Sequence, residues 1–136
     1  MKTGIEIEQY VYNLLRASPI KDLITGSIYL SGLRPINSEK EDTVIIFQTA
    51  INGQFQDGSL NINTYVPDIP FENGGVITNI KNFQRCKLIE RACQDFVDSL
   101  EVGKYRFSLG STIQTFEYEG DQHFINMRLR FSNTTF

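Results

Sequence analysis

The sequence predicts one α+β domain: an antiparallel or mixed β-sheet with two helices packed on one face. Three observations predict it. Two segments carry apolar residues at helical spacing, six others are β-forming, and the order runs helix, short strand, β-hairpin, helix, β-hairpin. The 136 residues have the size of one ordinary domain, 1–136, with neither an internal repeat nor a low-complexity segment.

The first helix is expected over residues 4–17. Thr3 and Glu6 have capping-box spacing: the hydroxyl accepts from the Glu6 amide and the carboxylate reaches back. Ile7, Tyr10, Val11, Leu14 and Leu15 then follow the i, i+3, i+4, i+7, i+8 series. Ser18-Pro19 ends the helix, since proline drives the residue before it out of the α region. Residues 20–24 add a short turn closed by Gly26. Residues 27–30 read as a short strand, and 31–42, with Gly32, Pro35, Asn37 and five charges, as a surface loop.

Residues 43–51 are strongly β-forming, and their unbroken apolar centre suits a strand covered on both faces. Asn52-Gly53 and Asp57-Gly58 bracket a longer hairpin loop. Residues 59–66 return, with Leu60, Ile62 and Thr64 on one face and Asn61, Asn63 and Tyr65 on the other. Residues 67–82 hold Pro67, Pro70, Gly74, Gly75 and Asn79 without a sustained period, so they read as a long loop with a turn at Asn73-Gly74-Gly75. Asn82 caps a second helix whose stripe is Cys86, Ile89, Ala92, Cys93, Phe96, Val97 and Leu100, and Gly103 ends it.

The last third is β. Residues 105–109 and 111–119 precede a turn at Gly120-Asp121. The final strand alternates cleanly: His123, Ile125, Met127, Leu129 and Phe131 share one face, and Gln122, Phe124, Asn126, Arg128 and Arg130 the other. One face is core; the other is wet or meets a partner.

Composition narrows the function classes. Hydrophobic residues at 40% and charged residues at 21% supply a core and exclude disorder. A net charge of -3 excludes a broad basic footprint for nucleic acid or anionic lipid. No apolar run approaches the roughly 20 residues that span a bilayer. The start Met1-Lys2-Thr3-Gly4-Ile5-Glu6 lacks a signal-peptide core, so the expected compartment is the cytoplasm or an assembly made there. Cys86 and Cys93 lie in one helix, about 10 Å apart along its axis, too far to bridge. With a single histidine they also fall short of a zinc site, and they read as small buried apolar side chains.

The chain carries few chemical motifs. The glycine-rich phosphate loops, HExxH and CxxC are absent from the sequence. His123 is the only general base near neutral pH, and every serine lacks a nucleophile-elbow context, so a strand histidine is the favoured reading. Glu117 and Glu119 share a strand face without an apolar pocket around them, and Glu39, Glu41 and Asp42 read as a solvated charge run, with magnesium a nonspecific alternative. Phe124, Arg128 and Arg130 interleave an aromatic with basic groups, a pattern that can stack single-stranded nucleic acid. The acidic balance and the missing RRM signature favour a protein partner or solvent there.

The helix Ile7 to Leu15, the step Gly26-Ser27-Ile28-Tyr29 and the Pro35 loop leading into Val44-Ile45-Ile46-Phe47 come in a familiar order. The extended run Asn61-Ile62-Asn63-Thr64-Tyr65-Val66, the helix Ile89 to Leu100 and a closing hairpin follow. Across roughly residues 5–132 this layout resembles the small tail-completion proteins of tailed bacteriophages. The resemblance implies a non-enzymatic role similar to tail terminators and head–tail joining proteins. Such a chain is a homo-oligomeric ring, with a hexamer favoured, at the end of the tail tube, where it stops tube polymerisation and meets neck proteins. The implied location is the virion tail or neck, assembled in the bacterial host cytoplasm, with no membrane involved. DNA would pass through the ring without sequence-specific contact, and no cofactor or catalytic residue carries over. The chain departs from the pattern in its 67–82 segment and its acidic 37–42 loop.

A ring needs head-to-tail contacts between unlike patches. The candidate anchors are Phe55 and Phe71, either of which could instead fold back as a local plug. Phe124, Arg128 and Arg130 form a second candidate patch, and Glu39, Glu41 and Asp42 are expected to line the channel and repel passing DNA. Two other classes stay open: a monomeric cytosolic module holding a small ligand or peptide with its sheet and long loop, and a small hydrolase built on His123.

Overall fold

A computed structural model describes residues 3–51, 55–100 and 106–134. Helix α1 (Gly4–Arg16) starts at the expected capping box: the Thr3 amide donates to Glu6 Oε1 at 3.0 Å and the Glu6 amide to Thr3 Oγ1 at 3.3 Å. It buries Ile7, Val11 and Leu15, one residue per turn. The short α2 (Ile20–Leu23) follows the Ser18-Pro19 break. Next come β1 (Ile28–Leu30), β2 (Thr43–Ile51) and β3 (Phe55–Pro67), then β4 (Ile69–Asn73) and β5 (Val76–Ile80). Helix α3 (Phe83–Ser99) is capped by Asn82, which accepts from the Arg85 amide, and β6 (Arg106–Leu109), β7 (Gln114–Tyr118) and β8 (Gln122–Thr134) complete the order.

The main sheet is six-stranded in the order β1-β2-β3-β8-β6, with β7 also pairing β8. Strand β1 runs parallel to β2 and the other pairs are antiparallel, so the sheet is mixed. Strands β6 and β7 share one side of β8, β6 along its second half and β7 along its first. The expected α+β architecture is the observed one. Ile45, Leu60, Ile62, Ile125, Met127, Leu129 and Phe131 from the inward sheet face join Ile7, Val11 and Leu15 of α1 and Cys86, Ile89, Cys93 and Phe96 of α3 in a single core cluster. Both long helices therefore cover the same side of the sheet, and among the described residues no helix lies on its other side.

Two boundaries differ from the expectation. Asp57 and Gly58 form no turn; they lie inside β3, opposite Ile51 and Ala50, and Asn52-Gly53 and Gly103 fall outside the described residues. A glycine after an acidic residue signals a turn only where pairing does not continue, and here β3 is paired on both sides by β2 and β8.

The larger correction concerns residues 67–82, which are not a structureless loop. Strands β4 and β5 form a separate two-stranded sheet, joined through Gly74 and Gly75 at φ 61° and 82°. Positive φ at both central residues is what a tight hairpin turn demands, and glycine adopts it without strain. Every residue of both strands is exposed. The segment is a β-arm standing off the body.

Candidate functional site

Three surfaces gather the chain's unexplained chemistry: the helix-free sheet face, the β-arm, and a groove beside α3. Period-two alternation sends one side chain set of β3, β7 and β8 to the helix-free face. Register then aligns Phe116 of β7 with Phe124 of β8, and Phe124 with Tyr65 of β3. The ring centroids of Phe116 and Phe124 lie 5.5 Å apart, those of Phe124 and Tyr65 5.8 Å apart, and Tyr118 meets Tyr65 edge-on at 4.9 Å. Arg34 closes the cluster, its guanidinium 4.1 Å from the centre of the Tyr65 ring. Burial pushes the Tyr65 hydroxyl above its ordinary range, and Tyr118 adds to the rise while Arg34 and Asn63 oppose it.

The next rows along this face are polar. Asn126 donates to Asn63 Oδ1 at 2.8 Å and Asn61 Oδ1 at 3.2 Å. Arg128 and Arg130 are exposed, opposite Asn61 and Ser59 of β3. Arg128 reaches Gln48 Oε1 at 2.8 Å, across an irregularity between Phe47 and Thr49 that breaks the β2 register. The structure thus places Phe124, Arg128 and Arg130 on one face, as expected from the alternation of β8. It also shows that Phe124 is committed to an aromatic cluster rather than standing free.

The other expected anchors part company. Phe71 sits in β4, opposite Thr78, and is 48% exposed, so it does not fold back as a plug. Cross-strand partners share a face, which puts Ile69, Ile80, Phe71 and Val76 together on one side of the arm, and Ile77 with Glu72 on the other. Phe55 is not a loop residue: it opens β3 opposite Thr134, and its side chain lies outside the described ones.

The acidic loop requires the strongest correction. Glu41 and Asp42 are not a solvated charge run, since their side chains are 6% and 1% exposed. Glu41 accepts from Arg85 Nη2 at 2.5 Å and Nε at 2.8 Å, and Arg85 also donates to the Leu23 carbonyl. That bond to Glu41 is the main reason the Arg85 guanidinium is held above its ordinary range. Asp42 accepts from the Ser27 amide, Arg34 Nε and the Ser38 hydroxyl. Each of the two carboxylates takes three donors, Glu41 accepting from the Thr25 amide as well, and side chains exposed to 6% and 1% do not line a channel, leaving Glu39 as the exposed member of the three.

His123 stands at the start of β8, its Nδ1 2.7 Å from Asp68 Oδ1, with side-chain exposures of 18% and 8%. Asp68 immediately precedes β4, and its amide donates to the Asp121 carbonyl. The pair therefore ties the root of the arm to the sheet. An aspartate–histidine pair is two members of a hydrolytic triad, and Glu117 lies in register with His123. Among the described residues no serine or threonine hydroxyl is hydrogen-bonded to His123. None of these described groups comes together as three His, Cys, Asp or Glu side chains able to hold a metal. Among the same residues, no helix is long and apolar enough to cross a membrane.

The groove runs along the outward side of α3, between residues 84 and 94, and is closed by Thr112 and Ile113; its volume is about 700 Å³. Leu88 and Ile113 supply its apolar lining, and Arg85, Lys87, Glu90 and Arg91 its charged lining, with Arg85 paired to Glu41 and Arg91 to Asp95 at 3.2 Å. Sequence reasoning missed it because Leu88 breaks the buried stripe and looks like one more scattered surface leucine. Compared with known proteins, the chain matches no family model and no curated sequence significantly.

Proposed function

We propose that this chain is a structural component of a phage or prophage tail: a subunit that joins copies of itself into a ring at the end of the tail tube. The observation that carries the reading is the β-arm. An isolated two-stranded hairpin is marginal in water, and this one holds Ile69, Phe71, Val76, Ile77 and Ile80 at 39% to 68% exposure. Apolar groups presented on a projecting element mark a surface made to be covered by another macromolecule. The arm, the helix-free face and the α3 groove are different patches, as a head-to-tail ring requires. The layout resemblance to tail-completion proteins supplies the remaining support and names the assembly. The arm lies within the segment where the sequence departs from that pattern, so its partner is specific to this chain.

Electron microscopy of the full chain, alone and with tubes of a phage major tail protein, tests the reading. The expected result is closed rings and tubes capped at one end. Free tubes that keep lengthening, with no ring under either condition, would overturn it.

A monomeric binding module is the second reading, and the 700 Å³ groove favours it. That reading expects a monomer whose melting temperature rises with a small ligand and whose tubes stay uncapped.

A further inference from the structure

We propose that the helix-free sheet face binds single-stranded DNA without sequence preference, its exposed rings stacking on bases and Arg128 and Arg130 holding phosphates. The inference stands apart from the ring reading, because one chain carries the whole face.

Two cations without an acidic partner come first. Arg128 donates to the neutral Gln48, and no described carboxylate pairs with Arg128 or Arg130. Gly110 lies against both stems: a Cβ there would stand 3.0 Å from Arg128 Cδ and 3.1 Å from Arg130 Cγ. The two rows are about 7 Å apart along β8, so like charges are held side by side.

A net charge of -3 is a sum over the whole surface and does not describe this face. Glu41 and Asp42 are buried against their own arginines, and Glu117 is in register with His123, on the helix side. Among the described side chains, the face's strand positions hold no carboxylate; Glu119 and Asp121 lie in the turn between β7 and β8, beyond the rings. One row past Arg130, the register sets Asp57 and Arg106 on either side of Ser132, one acid against one base. The charge left on the face is positive and suits phosphate.

Rings supply the second half. Phe116 and Tyr118 belong to edge strand β7 and are 43% and 44% exposed, while Phe124 is half-buried against both. An exposed ring offers a stacking surface to any base. Phe124 and Arg128 lie four residues apart on β8, about 14 Å, so one short strand reaches both ends of the face. A peptide fits less well: β3 and β8 are paired on both sides, so the face has no free backbone for strand addition. RNA gains nothing over DNA. Asn126 donates to both Asn61 and Asn63, so the amide row between rings and arginines is spent on itself rather than set out for a 2′-hydroxyl.

Fluorescence anisotropy of a labelled DNA strand of about 12 nucleotides, titrated with the full chain, tests the proposal. The expected dissociation constant lies between about 1 and 100 μM, and raising salt from about 50 to about 200 mM should weaken it about sevenfold, as two phosphate contacts require. Arg128→Gln with Arg130→Gln should remove that salt dependence. Phe116→Leu keeps apolar packing on Phe124 and removes the ring, so it should weaken binding about tenfold at every salt concentration. Lys87→Gln with Arg91→Gln, two exposed cations of α3, should bind like wild type. All the substituted side chains are exposed, so circular dichroism should show wild-type folding.

Absence of binding at about 200 μM protein, face variants that bind like wild type, or an equal loss in the α3 control would overturn the proposal. A duplex of the same sequence binding as tightly as the single strand would remove the stacking. A polyglutamate peptide binding as tightly would assign the face to an acidic protein instead. An RNA strand binding about tenfold more tightly would reject DNA as the occupant.

Discussion

Arg85 of α3 grips both carboxylate oxygens of Glu41, 44 residues earlier in the chain, at 2.8 and 2.5 Å. Nitrogens Nε and Nη2 give the fork geometry that matches a carboxylate, and Nη2 also holds the Leu23 carbonyl at the end of α2. The Glu41 amide in turn donates to Thr25 Oγ1, and its Oε1 accepts from the Thr25 amide. One ion pair thus locks the acidic loop, α2 and α3 into a single arrangement.

Glu41→Ala should lower stability by about 2 kcal/mol, below the roughly 3–5 kcal/mol of a fully buried broken pair because the Arg85 side chain is 29% exposed. Urea denaturation measures it. In a double-mutant cycle with Arg85→Ala the two losses should not add, and additive losses would show that the pair is energetically idle.

Gly26 is required by close approach rather than by its φ. A Cβ there would overlap the Asp42 carboxylate and come within 2.6 Å of the Glu41 carbonyl oxygen. Gly26→Ala should cost about 2 kcal/mol as overpacking, and Asp42→Ala in the same chain should recover only part of it, since the backbone carbonyl stays. Comparing denaturation midpoints of the two single variants and the double checks this.

Both thiols are buried and unpaired with each other. Burial raises Cys86 and pushes Cys93 up from 9.0 to about 12. In folded protein at pH 8 both should react with a thiol reagent about 100-fold more slowly than in urea, because reaction waits on local opening. The folded state holds the Cys93 proton more tightly than the unfolded chain does. Its contribution to stability is complete below pH 9 and is lost as pH climbs toward 12. Denaturation midpoints should fall across that window, and Cys93→Ala should flatten the fall.

His123→Ala should loosen the arm without unfolding the body. Loss of the bond to Asp68 removes about 1.5 kcal/mol and frees the arm's root, so protease cleavage within residues 68–81 should rise several-fold. The core contains no arm residue, so the melting temperature should fall by only a few degrees. Equal cleavage in both proteins would show that the pair does not anchor the arm.

Helical spacing and the two caps were enough to read α1 and α3 from the sequence, since Thr3, Glu6 and Asn82 act within three residues of their targets. The alternation from His123 to Phe131 likewise determined which face of β8 turns inward, because the pleat period is local. The arm was half legible: Asn73-Gly74-Gly75 marked the turn and Val76-Ile77-Thr78 is β-forming, but Pro70 and the lack of a buried face hid the pairing. The fate of the charges was not legible at all. Burying Glu41 and Asp42 depends on Arg85 and Arg34, which only the packing of α3 and the 31–42 loop brings to them. The sequence by itself determined the two long helices and the strands of the main sheet with their inward faces, whose signals are periodic and short-ranged. Tertiary structure alone decided which carboxylates leave water and which apolar side chains stay in it, because burial is set by neighbours distant along the chain.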